Sequence, residues 1–140
     1  MKNIDPRSIV LLQEMHPDLR KVVVRFAEIA PFGFRLTEVL RSEERQKRLV
    51  AAGASKTMRS RHLPHPKDGL SRAFDLIPLV DINKNGKIEV EEMYAWPLYH
   101  KLAPVMKQAA KDVGVQIEWG GDWRSFKDGP HWQLPWKAYP

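Results

Sequence analysis

The stretch AFDLIPLV, residues 73–80, decides the fold. It is a continuous apolar run with loop-forming sequence on both sides, and it reads as a strand too apolar to face water. Upstream lies ASKTMRSRHLPHPKDGLSR (54–72), basic and loop-like, and downstream the turn DINKNG (81–86). The strand carries one charge, Asp75, between Phe74 and Leu76. A buried, unpaired carboxylate is costly, so Asp75 needs a partner. A metal ion would satisfy it, and so would one of the neighbouring arginines.

The flanking sequence supplies helices. DPRSIVLLQEM (5–15) and HPDLRKVVVRFAEIAP (16–31) both read as helical, with Pro17 in a first turn and Pro31 ending the second. Leu19, Val22, Val23, Phe26 and Ile29 or Ala30 recur at helical spacing and form a core face. FRLTEVL (34–40) alternates like a strand. Ser42 reads as the N-cap of a short helix, SEERQKRLVAAG (42–53), with Glu43 and Glu44 in its first turn. VEEMYAWPLYHKLAPVMKQAAKDVG (90–114) is mostly helical; Pro97 and Pro104 mark starts or kinks, and Gly114 a C-cap. VQIEW (115–119) and HWQL (131–134) read as short strands. Helices segregated from a few strands, without βαβ alternation, predict an α+β fold with a small, largely antiparallel sheet.

The 140 residues predict one domain with a sizeable core. No apolar run approaches a bilayer span, and the N-terminus lacks a secretory signal pattern, so synthesis in a cytoplasm is expected. Without Cys, any metal site must use His and carboxylates. The net charge of +6 is uneven: residues 1–72 carry 15 Lys and Arg against 8 Asp and Glu, and residues 73–140 carry 8 against 9. That basic half suits an anionic wall polymer or an outer-membrane surface, or serves solubility alone. Nucleic acid is not expected as a partner, because the aromatics lie mostly outside the basic half.

Five histidines are available. His16 reads as a surface residue before a helix-start Pro, and His100 as a packing or solvent residue of a helix. His62 and His65 sit in the loop before the Asp75 strand, and His131 sits in GGDWRSFKDGPHWQLP (120–135). Ser60-x-His62, Ala73-x-Asp75, WGGDW (119–123) and DGPHWQ (128–133) follow in order, preceded by LRSEERQ (40–46) with Arg41 and Gln46. This series resembles the zinc D-alanyl-D-alanine carboxypeptidase and L-alanyl-D-glutamate endopeptidase family, and within it the small single-domain phage endolysins. The family motifs run R-S/T-x-x-x-Q, S-x-H-x-x-G-x-A-x-D, W-G-G-D-W and D/E-x-x-H. Two departures stand out. Twelve residues separate His62 from Asp75 where the family has six, and Ser71 replaces the family's Gly. The longer loop makes His65 a rival ligand, with His62 preferred because Ser60 precedes it in register.

The resemblance implies one catalytic peptidase domain over 1–140, acting as a monomer. It implies one catalytic zinc held by His62, Asp75 and His131, with a fourth position open to water. It assigns Asp128 as general base and Arg41 as stabiliser of the oxyanion, with Gln46, Ser60, Trp119, Trp123 and Trp132 around the cleft. Plainer roles remain open: Asp128 as a turn residue, Arg41 as a surface cation, the tryptophans as core, and Asp122 as either a turn residue or a partner orienting a ligand His. The implied activity is cleavage of peptidoglycan stem peptides between L-Ala and D-Glu, in the periplasm after release from the host cytoplasm. The alternatives are a D-alanyl-D-alanine carboxypeptidase with the same site, or a non-enzymatic, calcium-stabilised wall- or polyanion-binding module.

A second metal is expected in DINKNGKIEVEE (81–92), which matches the calcium-loop pattern at its specified positions. Asp81, Asn83, Asn85, the Lys87 carbonyl and Glu92 would be ligands, with Glu89 direct or through water. Asn85-Gly86 between apolar runs is equally a hairpin signal, and a strand rather than a helix precedes the loop.

Overall fold

The computed structural model describes residues 1–140 and is α+β. Strands β1 (Phe34–Glu38), β2 (Ala73–Pro78), β3 (Glu118–Trp119) and β4 (His131–Gln133) form one antiparallel sheet in the order β1-β2-β4-β3. Helices α1 (Pro17–Ile29) and α4 (Trp96–Asp112) pack on one face, α2 (Glu43–Ala51) follows β1, and the single turn α3 (Val90–Met93) leads into α4. No helix is long and apolar enough to cross a membrane.

The expected elements are recovered with instructive exceptions. The first segment is a three-ten helix, Pro6–Glu14, rather than an α-helix. Tertiary bonds hold it: Ser8 Oγ accepts from Leu36 N at 2.9 Å, and the Leu12 carbonyl accepts from Arg20 Nε at 2.8 Å. Ser42 caps α2 by accepting from Arg45 N at 3.1 Å. VQIEW yields only a two-residue strand. Val115 N is spent on the Ala110 carbonyl at 2.9 Å, where Gly114 at φ +71° turns the chain out of α4.

The core explains why AFDLIPLV is decisive. Leu19, Val22, Val23 and Phe26 of α1 meet Leu102, Met106, Ala109 and Ala110 of α4 over Phe34, Leu36, Phe74, Leu76 and Trp132 of the sheet, in one buried cluster. Because side chains alternate across a strand, the face opposite Phe74 and Leu76 carries Asp75. Phe74 pairs with Trp132, so Asp75 pairs with His131. On the other side an irregularity between Leu36 and Glu38 sets Glu38 opposite Asp75. Glu38, Asp75 and His131 therefore lie in one row across three strands.

Asp5 ties the N-terminus to this sheet. Its carboxylate accepts from Arg35 Nε at 2.7 Å and from Arg7 N at 3.0 Å. The Arg35 bond, ahead of the Arg7 contacts, pulls its pKa down to about 2. A depressed carboxyl contributes stability above its unfolded value of about 3.9, which is lost as pH falls toward the folded value. Asp5→Asn is expected to lower the melting temperature at neutral pH, with the gap to wild type closing below about pH 3. Melting curves across that range check it; a gap that is constant with pH would locate the effect in the cap alone.

Candidate metal centre

Three side chains converge on the cleft face of the sheet. His62 arrives from the loop before β2, Asp75 from β2 and His131 from β4. Asp75 Oδ1 lies 3.2 Å from His62 Nε2 and 3.2 Å from His131 Nδ1, and those two nitrogens are 3.2 Å apart. One ligand atom from each lies within 4.8 Å of the others, so the group could hold a metal ion.

The outer ring nitrogens show which atoms are free. His62 Nδ1 lies 2.8 Å from the Val39 carbonyl, which can only accept, so the proton sits on Nδ1 and Nε2 keeps a lone pair. His131 Nε2 donates to Gln133 Oε1 at 2.8 Å, which leaves Nδ1 free. Gln133 is oriented in turn by donating to Glu118 Oε2 at 3.2 Å. Two lone pairs and a carboxylate oxygen thus face one point, an arrangement that a cation relieves and that fits a divalent metal. Without a cation, protons on those inner nitrogens would bridge to Asp75 instead; burial works to raise the Asp75 pKa, but such hydrogen bonds and charges from His131 and His62 outweigh it and hold the carboxyl well below the usual range. For His131 burial works downward, and the Asp75 contact reverses it, leaving the pKa raised.

The centre opens into a cleft of about 740 Å³ lined by Arg41, Ser60, Trp123, Asp128 and Trp136 among others. Arg41 is held rather than free: it pairs with Glu38, donates to Gln46 Oε1 at 2.9 Å and lies 3.8 Å from Asp75 Oδ2. Gln46 is fully buried beneath it, with its amide donating to Ser55 Oγ at 2.9 Å and to the Thr57 carbonyl at 2.6 Å. Ser60 Oγ accepts from His62 N at 3.2 Å and so shapes the turn that presents the ring. Asp128 stands apart from the converging trio. Burial first, then the Asp75 charge, raises its pKa. Its place depends on a glycine: a Cβ at Gly120 would collide with the Asp128 carbonyl.

Not every expected position falls in the cleft. Trp119 and Trp132 do not line it; they stack on each other in the core, ring centroids 5.7 Å apart, because alternation turns them away from His131. Trp123, 5.1 Å from the His131 ring, and Trp136, which the motifs did not single out, form the aromatic wall. Trp119 contributes indirectly, its Nε1 donating to the Gly129 carbonyl at 2.8 Å beneath the Asp128 loop. His65 is engaged elsewhere, by Lys67 N and the Pro140 carbonyl, each at 3.0 Å. Asp122 pairs with Lys107 at 2.6 Å rather than with a His. His16 caps α1, accepting from Asp18 N at 3.0 Å, and His100 packs against Trp96 and Trp119.

A family model described as phage L-alanyl-D-glutamate peptidase matches residues 3–133. The chain belongs to this family. Among its relatives, the L-alanyl-D-glutamate peptidase of Listeria phage A118 is 34% identical over 102 residues, 73% of this chain but 30% of that protein. The L-alanyl-D-glutamate peptidase of Escherichia phage T5 is 27% identical over 120 residues, covering 84% of this chain and 78% of the T5 protein. The chain thus spans about a third of the first relative's length and most of the second's. The crystal structure of Serratia marcescens L-Ala D-Glu endopeptidase ChiX superposes with a TM-score of 0.80 at 36% identity, over 96% of this chain and 91% of that one.

Within this family member, sequence reasoning missed Glu38, Gln133 and the Val39 carbonyl. Gln133 had a signal: it lies two residues beyond His131 on the same strand face. Glu38 had none, because the irregularity in β1 sets its register. Gln133→Leu keeps the side-chain volume and removes the bond to His131, so a 10–100-fold loss of affinity for a divalent metal is expected. Chelator competition measures it; unchanged affinity would show that the bond does not orient the ring.

The loop at 81–92 is folded around its oxygens. Asp81 accepts from Asn85 N at 3.2 Å and from Gly86 N at 2.7 Å, and Asn85 Oδ1 accepts from Lys87 N at 2.9 Å. Glu92, in the first turn of α3, accepts from Ile82 N, from Asn83 N at 3.2 Å and from Glu89 N at 2.8 Å. Lys84 and Gly86 both take positive φ. Glu92 therefore has the role that a simple hairpin would not give it: it closes the loop onto the following helix.

Proposed function

We propose that residues 1–140 act as one zinc-dependent L-alanyl-D-glutamate endopeptidase domain that cleaves peptidoglycan stem peptides, as a phage endolysin does. The convergence of His62, Asp75 and His131 at the base of a cleft carries this reading, and membership of a family described as phage L-alanyl-D-glutamate peptidase supports the choice of bond. His62 Nε2, Asp75 Oδ1 and His131 Nδ1 would hold the zinc. The metal supplies Lewis acidity toward the scissile carbonyl and lowers the pKa of a water. Asp128 takes the proton from the attacking water and returns it to the departing D-Glu amine. Its raised pKa suits both halves of that transfer. Arg41, fixed by Glu38 and Gln46, stabilises the negative charge that develops on the carbonyl oxygen. Trp123 shields the centre from bulk water.

Digestion of purified peptidoglycan, followed by mass analysis, tests the reading. New N-terminal D-Glu is expected with wild type and not with His131→Ala. Release of D-Ala alone would instead mark a carboxypeptidase.

Calcium at 81–92 is part of the same proposal, as a brace between β2 and α3. The cleft residue Tyr94 lies two positions beyond Glu92, so an ion there would stiffen the cleft rim. Calcium is expected to raise the melting temperature of wild type, and Glu92→Gln to remove most of that rise, because the bidentate closing ligand is lost. An undiminished rise would place the ion elsewhere.

A further inference from the structure

A second cavity of about 490 Å³ adjoins the cleft, and Arg59, Ser60, Arg61 and Trp136 line both. Its charged lining comes from Arg59, Arg61 and Arg72, with His65 beside them, and no Asp or Glu lines it. The arginines are short of anions. Arg61 is buried, and its bonds go to the carbonyls of Leu134, Pro135 and Tyr139, all neutral. Arg72 is buried too; one nitrogen meets Asp68 at 2.6 Å, while its Nε has no partner. Arg59 is exposed, forms no ion pair and lies 4.2 Å over the Trp136 ring, with Arg61 4.0 Å over the same ring. Burial first, then the charge of Arg72, draws the Arg61 pKa down to about 10.

We propose that this cavity is an anion subsite for a carboxylate of the same peptide strand that occupies the cleft, on the D-Glu side of the cleaved bond. The inference rests on the endopeptidase reading. Arg59, Ser60, Arg61 and Trp136 border both spaces, so the second neighbours the cleft and lies within reach of a side group on a peptide strand held there. D-Glu has two carboxyl groups and only one can continue a chain, so wherever the other is not amidated this side presents a carboxylate. Planar guanidinium forks match a carboxylate in shape and charge. Met58, Leu63 and Pro64 give the space apolar walls that suit the methylenes of such a strand.

The test uses the zinc-loaded full chain and synthetic peptides containing the L-Ala–D-Glu bond. The carboxylates beyond that bond are free, or converted to amides one at a time. Wild type is expected to cleave a free-carboxylate peptide with kcat/KM about tenfold above one of the amides, mostly through KM. Which amide suffers names the carboxylate. Arg59→Gln removes one fork, and Met58→Glu puts an acid into the cavity at an exposed position. Both should bring the ratio toward one. A wild-type ratio of one, or a ratio that survives both variants, overturns the subsite while leaving the endopeptidase reading intact. Failure of wild type to cleave any of these peptides or peptidoglycan overturns that reading and the subsite with it.

Discussion

Asp75→Ala is expected to lose zinc and peptidoglycan cleavage together, the activity falling about a thousandfold or more. Asp75 is the only carboxylate in the converging group, and its Oδ1 lies 3.2 Å from both ligand nitrogens. Without it two neutral rings remain, and no negative charge at the centre offsets the dication. The backbone should tolerate the change, because the pairing of β2 with β1 and β4 uses main-chain groups. Metal content after dialysis and the rate of wall digestion are the measurements. An Asp75→Ala protein that kept a full equivalent of zinc would remove this ligand assignment.

Asp128→Asn is expected to separate what Asp75→Ala joins: zinc retained, cleavage reduced about 10²–10⁴-fold. Asp128 lies outside the converging trio yet lines the same cleft, so it can serve the proton without serving the metal. Asn preserves shape and some hydrogen bonding but cannot accept a proton at working pH. Loss of zinc from Asp128→Asn would make the residue part of the metal's support. Full activity would return it to the role of a turn residue.

Much of the scaffold was legible because its signals are local. The α1 stripe from Leu19 to Phe26 needs only a period of 3.6, and the Ser42 cap only a hydroxyl before two acids. AFDLIPLV needs only its apolar continuity. The convergence of His62, Asp75 and His131 was legible differently, through spaced motifs, and the structure gives those spacings a cause. His131 pairs with Asp75 across two strands, and the loop from His62 to β2 can be long because only its first ring enters the site. The tryptophans were misplaced for a reason of the same kind. Strand parity decides whether Trp132 or His131 faces the cleft, and a motif lists both without saying which side each takes.

By itself, the sequence determined the α+β class, the helix limits at Pro17, Ser42 and Gly114, the lack of any sulfur ligand, and a short list of residues able to hold a metal. Each is a property of composition or of neighbours within a turn or two. Tertiary structure alone decided which ring nitrogens point inward, that His62 and not His65 joins Asp75, and that Glu38 and Gln46 clamp Arg41. It also set Trp136 between the cleft and the cationic cavity beside it. Those features depend on strand register and on contacts between residues far apart in the chain. No local spacing encodes them, because a shift of one residue in any pairing would exchange the inner face of the sheet for the outer.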